Sequence, residues 1–359
     1  MASLCWSESK EGKNSSLWVK YISLANITAV IWLEFALFSD IGGEIFGLTH
    51  LWMKTIAIVI VSFAVIFFVL RYGIRGFAFS DVFQTPVIAL SVVLMVGGSL
   101  WLAKDASVSF SSSFIQPIVD AKTIALFVIH VLFLNAFLVL ATEPHWLRLW
   151  VFQNKENDTQ IASTLSTAII WGVLVGIGLI ASALAQGGAG TTVIVDLVNQ
   201  LTQLSLVFVV AFWFAAVSAL FTTSDAQTYS WLIVINYNTD TGKLEETNLG
   251  AIKPFRYALL ASIAFGVIYY LVRSYSIPFE KLVFLIIPFS LNTLPAITQL
   301  AFKKQPTPGP LIISVVLFIV LGTGGFYQPN NELMWTLSAA LVPVIIAIFS
   351  PLFGQKLED

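Results

Sequence analysis

The chain has 359 residues; 57% are apolar and only 11% are charged, with a mean hydropathy of +0.87 and a formal net charge of −2. Soluble domains carry roughly 25% charged residues, so this composition excludes a soluble enzyme or binding domain, and no basic arm is present to hold nucleic acid. The one cysteine, Cys5, excludes an intramolecular disulfide and a thiolate metal cluster.

The first 16 residues are polar and mixed in charge, unlike a signal peptide, and read as a cytoplasmic N-terminus. Residues 17–353 read as a single transmembrane domain, and 354–359 as a cytoplasmic tail. Apolar runs near the length of a membrane crossing predict ten helices. They cover 17–39, 52–72, 83–103, 122–142, 161–186, 197–223, 254–274, 280–301, 310–329 and 333–353. With both ends in the cytoplasm, thirteen of the eighteen Lys and Arg residues fall inside. Five fall outside: Lys54, Lys104, Lys122, Arg273 and Lys281. That asymmetry obeys the positive-inside rule and places the chain in the cell (inner) membrane as a multi-pass protein.

Several spans carry polar residues. Glu34 lies within the first, which is followed by Asp40, Gly42 and Gly43. Glu34 either pairs with a neighbouring helix or faces a gap. The third span is entered through YGIRGFAFSDVFQTP, with Pro86 as an early helical position or a kink. Arg75 and Asp81 in that entry read as structural. The fourth holds His130, read as a hydrogen-bonded core histidine, and Asn135, either a pathway residue or interhelical glue. Residues 143–158, EPHWLRLWVFQNKEND, read as an interfacial helix with Trp146 and Trp150 beside Arg148. A glycine-rich loop follows the fifth span at 186–196, and a polar loop covers 237–253.

The sixth span carries the chain's densest polar run: Thr222, Thr223, Ser224, Asp225 and Gln227, with no basic residue beside them. Oxygen donors at membrane depth suit a hard cation. The competing reading has the hydroxyls bonding back to carbonyls one turn earlier, with Asp225 a solvated helix-end acid. The apolar pattern continues to about residue 237. That is too long for one crossing, so the second half must leave the bilayer, break or tilt. No His, Asp or Glu cluster has metal-enzyme spacing and no Ser/His/Asp set converges, so catalysis has no support.

Four segments in order resemble the sodium/solute symporter family, which includes the bacterial proline symporters and the sodium/glucose transporters. They are YGIRGFAFSDVFQ at 72–84, EPHWLRLWVFQNKEND at 143–158, TTSDAQ at 222–227 and NTLPAITQLAFKKQPTPGP at 292–310. The resemblance covers about residues 20–330. It implies an all-α polytopic membrane fold with a shortened five-plus-five inverted repeat. It also implies sodium held by the Thr222 and Thr223 hydroxyls and the Ala219 carbonyl, with Asn135, Asp225 and Gln227 along the translocation pathway. Ala219 lies three and four residues before Thr222 and Thr223, so all three share one helix face.

The resemblance implies sodium-coupled uptake of a small organic solute across the lipid bilayer, with no organic cofactor. The departures bear on this. The first span here corresponds to the third helix of the family's ten-helix core, and the two helices before it have no counterpart. A partner chain would supply them, or the chain is a non-transporting sensor, assembly subunit or degenerate paralogue that keeps the scaffold. Glu143 stands where the family has Gln, and the family's glycine pair is split into Gly73 and Gly76.

Overall fold

A computed structural model describes residues 10–45, 47–48, 50–105, 205–238, 243–244, 252–277, 279–327 and 332–354, with isolated positions between 106 and 204. The helices are α1 (Lys10–Ile45), α2 (Leu51–Asp105), α3 (Leu206–Asn236), α4 (Ile252–Ser274), α5 (Phe279–Phe289), α6 (Leu294–Ala301), α7 (Pro308–Tyr327) and α8 (Glu332–Phe349). Short 3-10 turns occupy Ser290–Thr293 and Ser350–Leu352. A two-residue antiparallel ladder, β1 (Tyr237–Asn238) on β2 (Lys243–Leu244), folds the start of the polar loop back on itself.

Among the described residues, five helices are long and apolar enough to cross a membrane: Leu17–Gly43, Leu51–Gly73, Lys253–Ser274, Lys281–Ala301 and Met334–Leu352. Three shorter apolar helices, Pro86–Gly98, Leu206–Ser218 and Pro308–Gly324, match three more of the predicted spans. The fourth and fifth predicted spans, the interfacial segment and the glycine-rich loop lie outside the described residues, apart from isolated positions. The fold is all-α and polytopic.

Boundaries differ from the sequence reading in three places, each for a physical reason. Helix α1 begins at Lys10, inside the polar N-terminal segment, because nothing there breaks a helix once the apolar stripe has nucleated it. The second and third spans form α2, 55 residues long, whose two arms meet at Gly73. Gly73 has φ 55° and ψ −141°, which only glycine adopts without strain. The eighth span is broken. Pro295 has no N–H for the Leu291 carbonyl, four residues earlier, and its ring crowds that carbonyl. The Leu294 N–H bonds Leu291 instead, closing a tighter 3-10 turn.

Two helix groups result, joined through α1, whose Val19 and Ile22 bury against Ala296 of α6 and Leu311 of α7. In one, α1, α3 and α4 pack around the first arm of α2, burying Ile31, Trp32, Phe35, Val65, Leu220, Phe265 and Tyr269. The Trp32 indole donates to the Phe265 carbonyl at 3.1 Å. Gly266 lets α4 approach α2 closely: a Cβ there would lie 2.6 Å from Val59 Cγ2. In the other, α7 packs on α8, and the broken helix α5–α6 packs against both. The opposite face of α4 exposes Leu260, Ile263, Val267, Ile268 and Leu271. A fully apolar helix face of this kind matches a hydrocarbon solvent.

Candidate functional site

Helix α3 is helical from Leu206 to Asn236, so the polar run does not interrupt it. At 1.5 Å per residue, 31 residues span roughly 46 Å, more than the hydrocarbon core. Of the three sequence-stated outcomes, a break is not the one adopted. Because the backbone stays helical through 219–223, the Ala219 carbonyl already accepts within the helix. It has only its second lone pair to give a cation. The side chains of Thr222, Thr223 and Asp225 lie outside the described part of the structure, as does Asn135.

The described hydroxyls of α3 behave in two ways. Thr228 Oγ1 donates to the Ser224 carbonyl at 2.6 Å, and Ser230 Oγ donates to the Ala226 carbonyl at 2.9 Å. Both bond back one turn, as polar helix residues do when they have no other use. Ser224 does not. It is 0% exposed, and its hydroxyl crosses to α1, donating to Glu34 Oε2 at 2.8 Å. Glu34 therefore pairs with the neighbouring helix, which settles the choice the sequence left open. Gln227, three residues on and on the same side of α3, has its Oε1 buried with no hydrogen-bond partner among the described residues. A buried amide oxygen left unmatched costs about 1–3 kcal/mol, so its position calls for an explanation. Carboxylate, hydroxyl and amide oxygen are a hard donor set, suited to an alkali or alkaline-earth cation rather than a soft metal. Among the described residues, no group of three His, Cys, Asp or Glu side chains converges.

Toward the C-terminal end of α1 sits a second polar centre that sequence reading did not assemble. Asp40 of α1 is 2% exposed. It accepts the Tyr269 hydroxyl on Oδ1 at 2.6 Å and the Arg273 guanidinium on Oδ2. Lys54 Nζ stands 3.7 Å from Oδ1, and the Ser39 hydroxyl donates to the Lys54 carbonyl at 2.8 Å. One carboxylate thus ties α1 to α2 and α4. The only legible signal was that Asp40, Lys54 and Arg273 all fall at span ends assigned to one membrane face. At the other end of α1, Lys20 Nζ donates to the Ile235 carbonyl at 3.1 Å, so α1 and α3 run antiparallel.

The broken helix is internally satisfied. Ser290, Asn292 and Thr293 are fully or nearly fully buried and bond nearby carbonyls, and the Ser314 hydroxyl of α7 donates to Asn292 Oδ1 at 2.6 Å. A groove of about 450 Å³ between the second arm of α2 and α3 is lined by Leu90, Leu94, Val210 and Phe214, with Ser91 as its one polar residue. It suits an acyl chain, not a polar solute.

No family model matches the chain, and no curated protein matches it by sequence. A solved structure does: a Na+-coupled sialic acid symporter in its substrate-bound, outward-open state. The superposition covers 96% of this chain and 76% of that one, with a TM-score of 0.57. This chain has a membrane transporter fold. Sequence identity is 17%, so the likeness is one of architecture.

Proposed function

We propose that the chain is a sodium-coupled secondary transporter of the sodium/solute symporter type, moving a small organic solute by alternating access. The observation that carries this is the all-helical symporter-like architecture spanning nearly the whole chain, with its oxygen-rich run on α3 packed against α1. In this reading sodium binds near Ala219, Thr222 and Thr223, and Asn135, Asp225 and Gln227 face the pathway. The protein lies in the inner membrane as one transmembrane domain over 17–353, with both termini cytoplasmic.

The buried, unmatched Gln227 oxygen and the Glu34–Ser224 pair supply the kind of ligands a sodium ion takes. The test is thermal stability of the purified chain in detergent, titrated with sodium against potassium at fixed ionic strength. A folded-state ligand stabilises by an amount set by its concentration over its dissociation constant. A saturable, sodium-specific rise that disappears in Thr222→Val/Thr223→Val is the expected result. Equal curves in the two ions would instead favour a non-transporting membrane module built on the symporter scaffold.

A further inference from the structure

We propose that Glu34 on α1 is a direct sodium ligand, forming with Ser224 and Gln227 of α3 a cation site that bridges the two helices. The inference rests on the sodium-coupled reading above and adds a charged ligand, from another helix, that the resemblance does not assign.

The geometry is specific. Glu34 Oε2 and Ser224 Oγ are 2.8 Å apart, across helices related by a sequence separation of 190 residues. Two oxygens at that spacing can share one cation once the hydroxyl turns its proton away from the carboxylate and its lone pair toward the ion. The Ser224 hydroxyl is free to make that turn because the carbonyl one turn earlier is not its acceptor. Gln227 supplies a third oxygen on the same side of α3, buried and without a hydrogen-bond partner among the described residues. Ordinary bonding back along the helix accounts for Thr228 and Ser230 but not for the Gln227 oxygen.

The site also has a structural consequence. A ligand shared by α1 and α3 makes ion occupancy a measure of how closely those helices pack. Sodium entry would then stiffen the seam that Lys20–Ile235 fixes at one end and the Phe38–Trp213 ring pair, 5.8 Å between centroids, fixes at the other.

The experiment uses the full-length chain in detergent, with sodium chloride as the probe and potassium chloride as the control. Glu34→Gln and Ser224→Ala are each titrated, and the sodium concentration for half-maximal stabilisation is read. Glu34→Gln should raise that midpoint by at least about tenfold and Ser224→Ala by several-fold, because a lost charged ligand weakens binding more than a lost neutral one. An unchanged midpoint in Glu34→Gln overturns the proposal while leaving sodium at Thr222 and Thr223 intact. A wild-type chain indifferent to sodium overturns both. Should Glu34→Gln not fold, the sodium-minus-potassium infrared difference spectrum of the wild type decides. Carboxylate stretching bands that shift on sodium binding are expected, and their absence overturns the proposal.

Discussion

Replacing Asp40 by Asn keeps the side chain's shape and removes its charge. The structure makes this a severe change, because the carboxylate is 2% exposed and accepts from Tyr269 and Arg273 while facing Lys54 at 3.7 Å. At an effective dielectric near 20, a charge pair at that distance attracts by about 4 kcal/mol before desolvation is subtracted. The gross figure overstates the net value, since forming such a cluster strips water from all its members. The loss on mutation is larger than the net value, because two cations remain in place with their anion gone. Removing one partner of a buried pair costs about 3–5 kcal/mol. Tyr269→Phe, which deletes one hydrogen bond to a charged acceptor, should cost about 1.5–3 kcal/mol.

Reversible unfolding in mixed lipid–detergent micelles measures both. The ordering is the sharper test: Asp40→Asn worse than Tyr269→Phe, and neither loss relieved by added salt, since buried charges are poorly screened. A loss below about 1 kcal/mol for Asp40→Asn would show that the α1–α2–α4 clamp does not hold the unit together, and would refute the reasoning.

Gly266→Ala sets helix propensity against packing. Alanine favours the helix by up to about 1 kcal/mol, but its Cβ would lie 2.6 Å from Val59 Cγ2; overpacking at about 1–3 kcal/mol should win. A rise in melting temperature would disprove the close α2–α4 contact. Gln299, 0% exposed, donates to the Ser350 carbonyl at 2.9 Å and accepts the Thr307 N–H at 3.0 Å. Gln299→Leu strands the Thr307 N–H and leaves the Ser350 carbonyl with the Phe353 N–H alone, and should cost about 1–3 kcal/mol, read by the same unfolding assay, with a neutral result counting against the staple. Pro295→Ala restores an N–H four residues beyond Leu291, so the 3-10 turn should relax towards α-helix. A protected amide at the substituted position, and slower exchange at its neighbours, would register the new bond.

Much of the architecture was legible in the chain alone. Apolar runs near 20 residues name membrane helices because hydrocarbon cannot satisfy a backbone polar group, so each crossing must be long, apolar and self-bonded. Eight of the ten expected spans have counterparts among the described residues. The extension of the sixth to residue 236 was visible from the apolar pattern on either side of its polar run. Its oxygen-rich run was visible too, since a cluster of that type at that depth is conspicuous in composition. Local backbone events were half legible: Gly73 and Pro295 are in plain sight, but whether such residues bend, break or merely tolerate a helix depends on what packs beside them.

Partnership between distant residues was not legible beyond the shared membrane face assigned to Asp40, Lys54 and Arg273. Glu34 meets Ser224 across 190 residues, and Asp40 meets Tyr269 and Arg273 across 229 and 233. A helix's period tells which residues share its own face, but not which face of another helix comes opposite, because that rotation and offset is set by the fit of side chains along the whole seam. Sequence therefore determined that this is a helical membrane protein with an oxygen-rich run in its sixth span. Only the tertiary structure decided that one of those hydroxyls reaches a carboxylate on the first helix, and that a single aspartate ties three helices together.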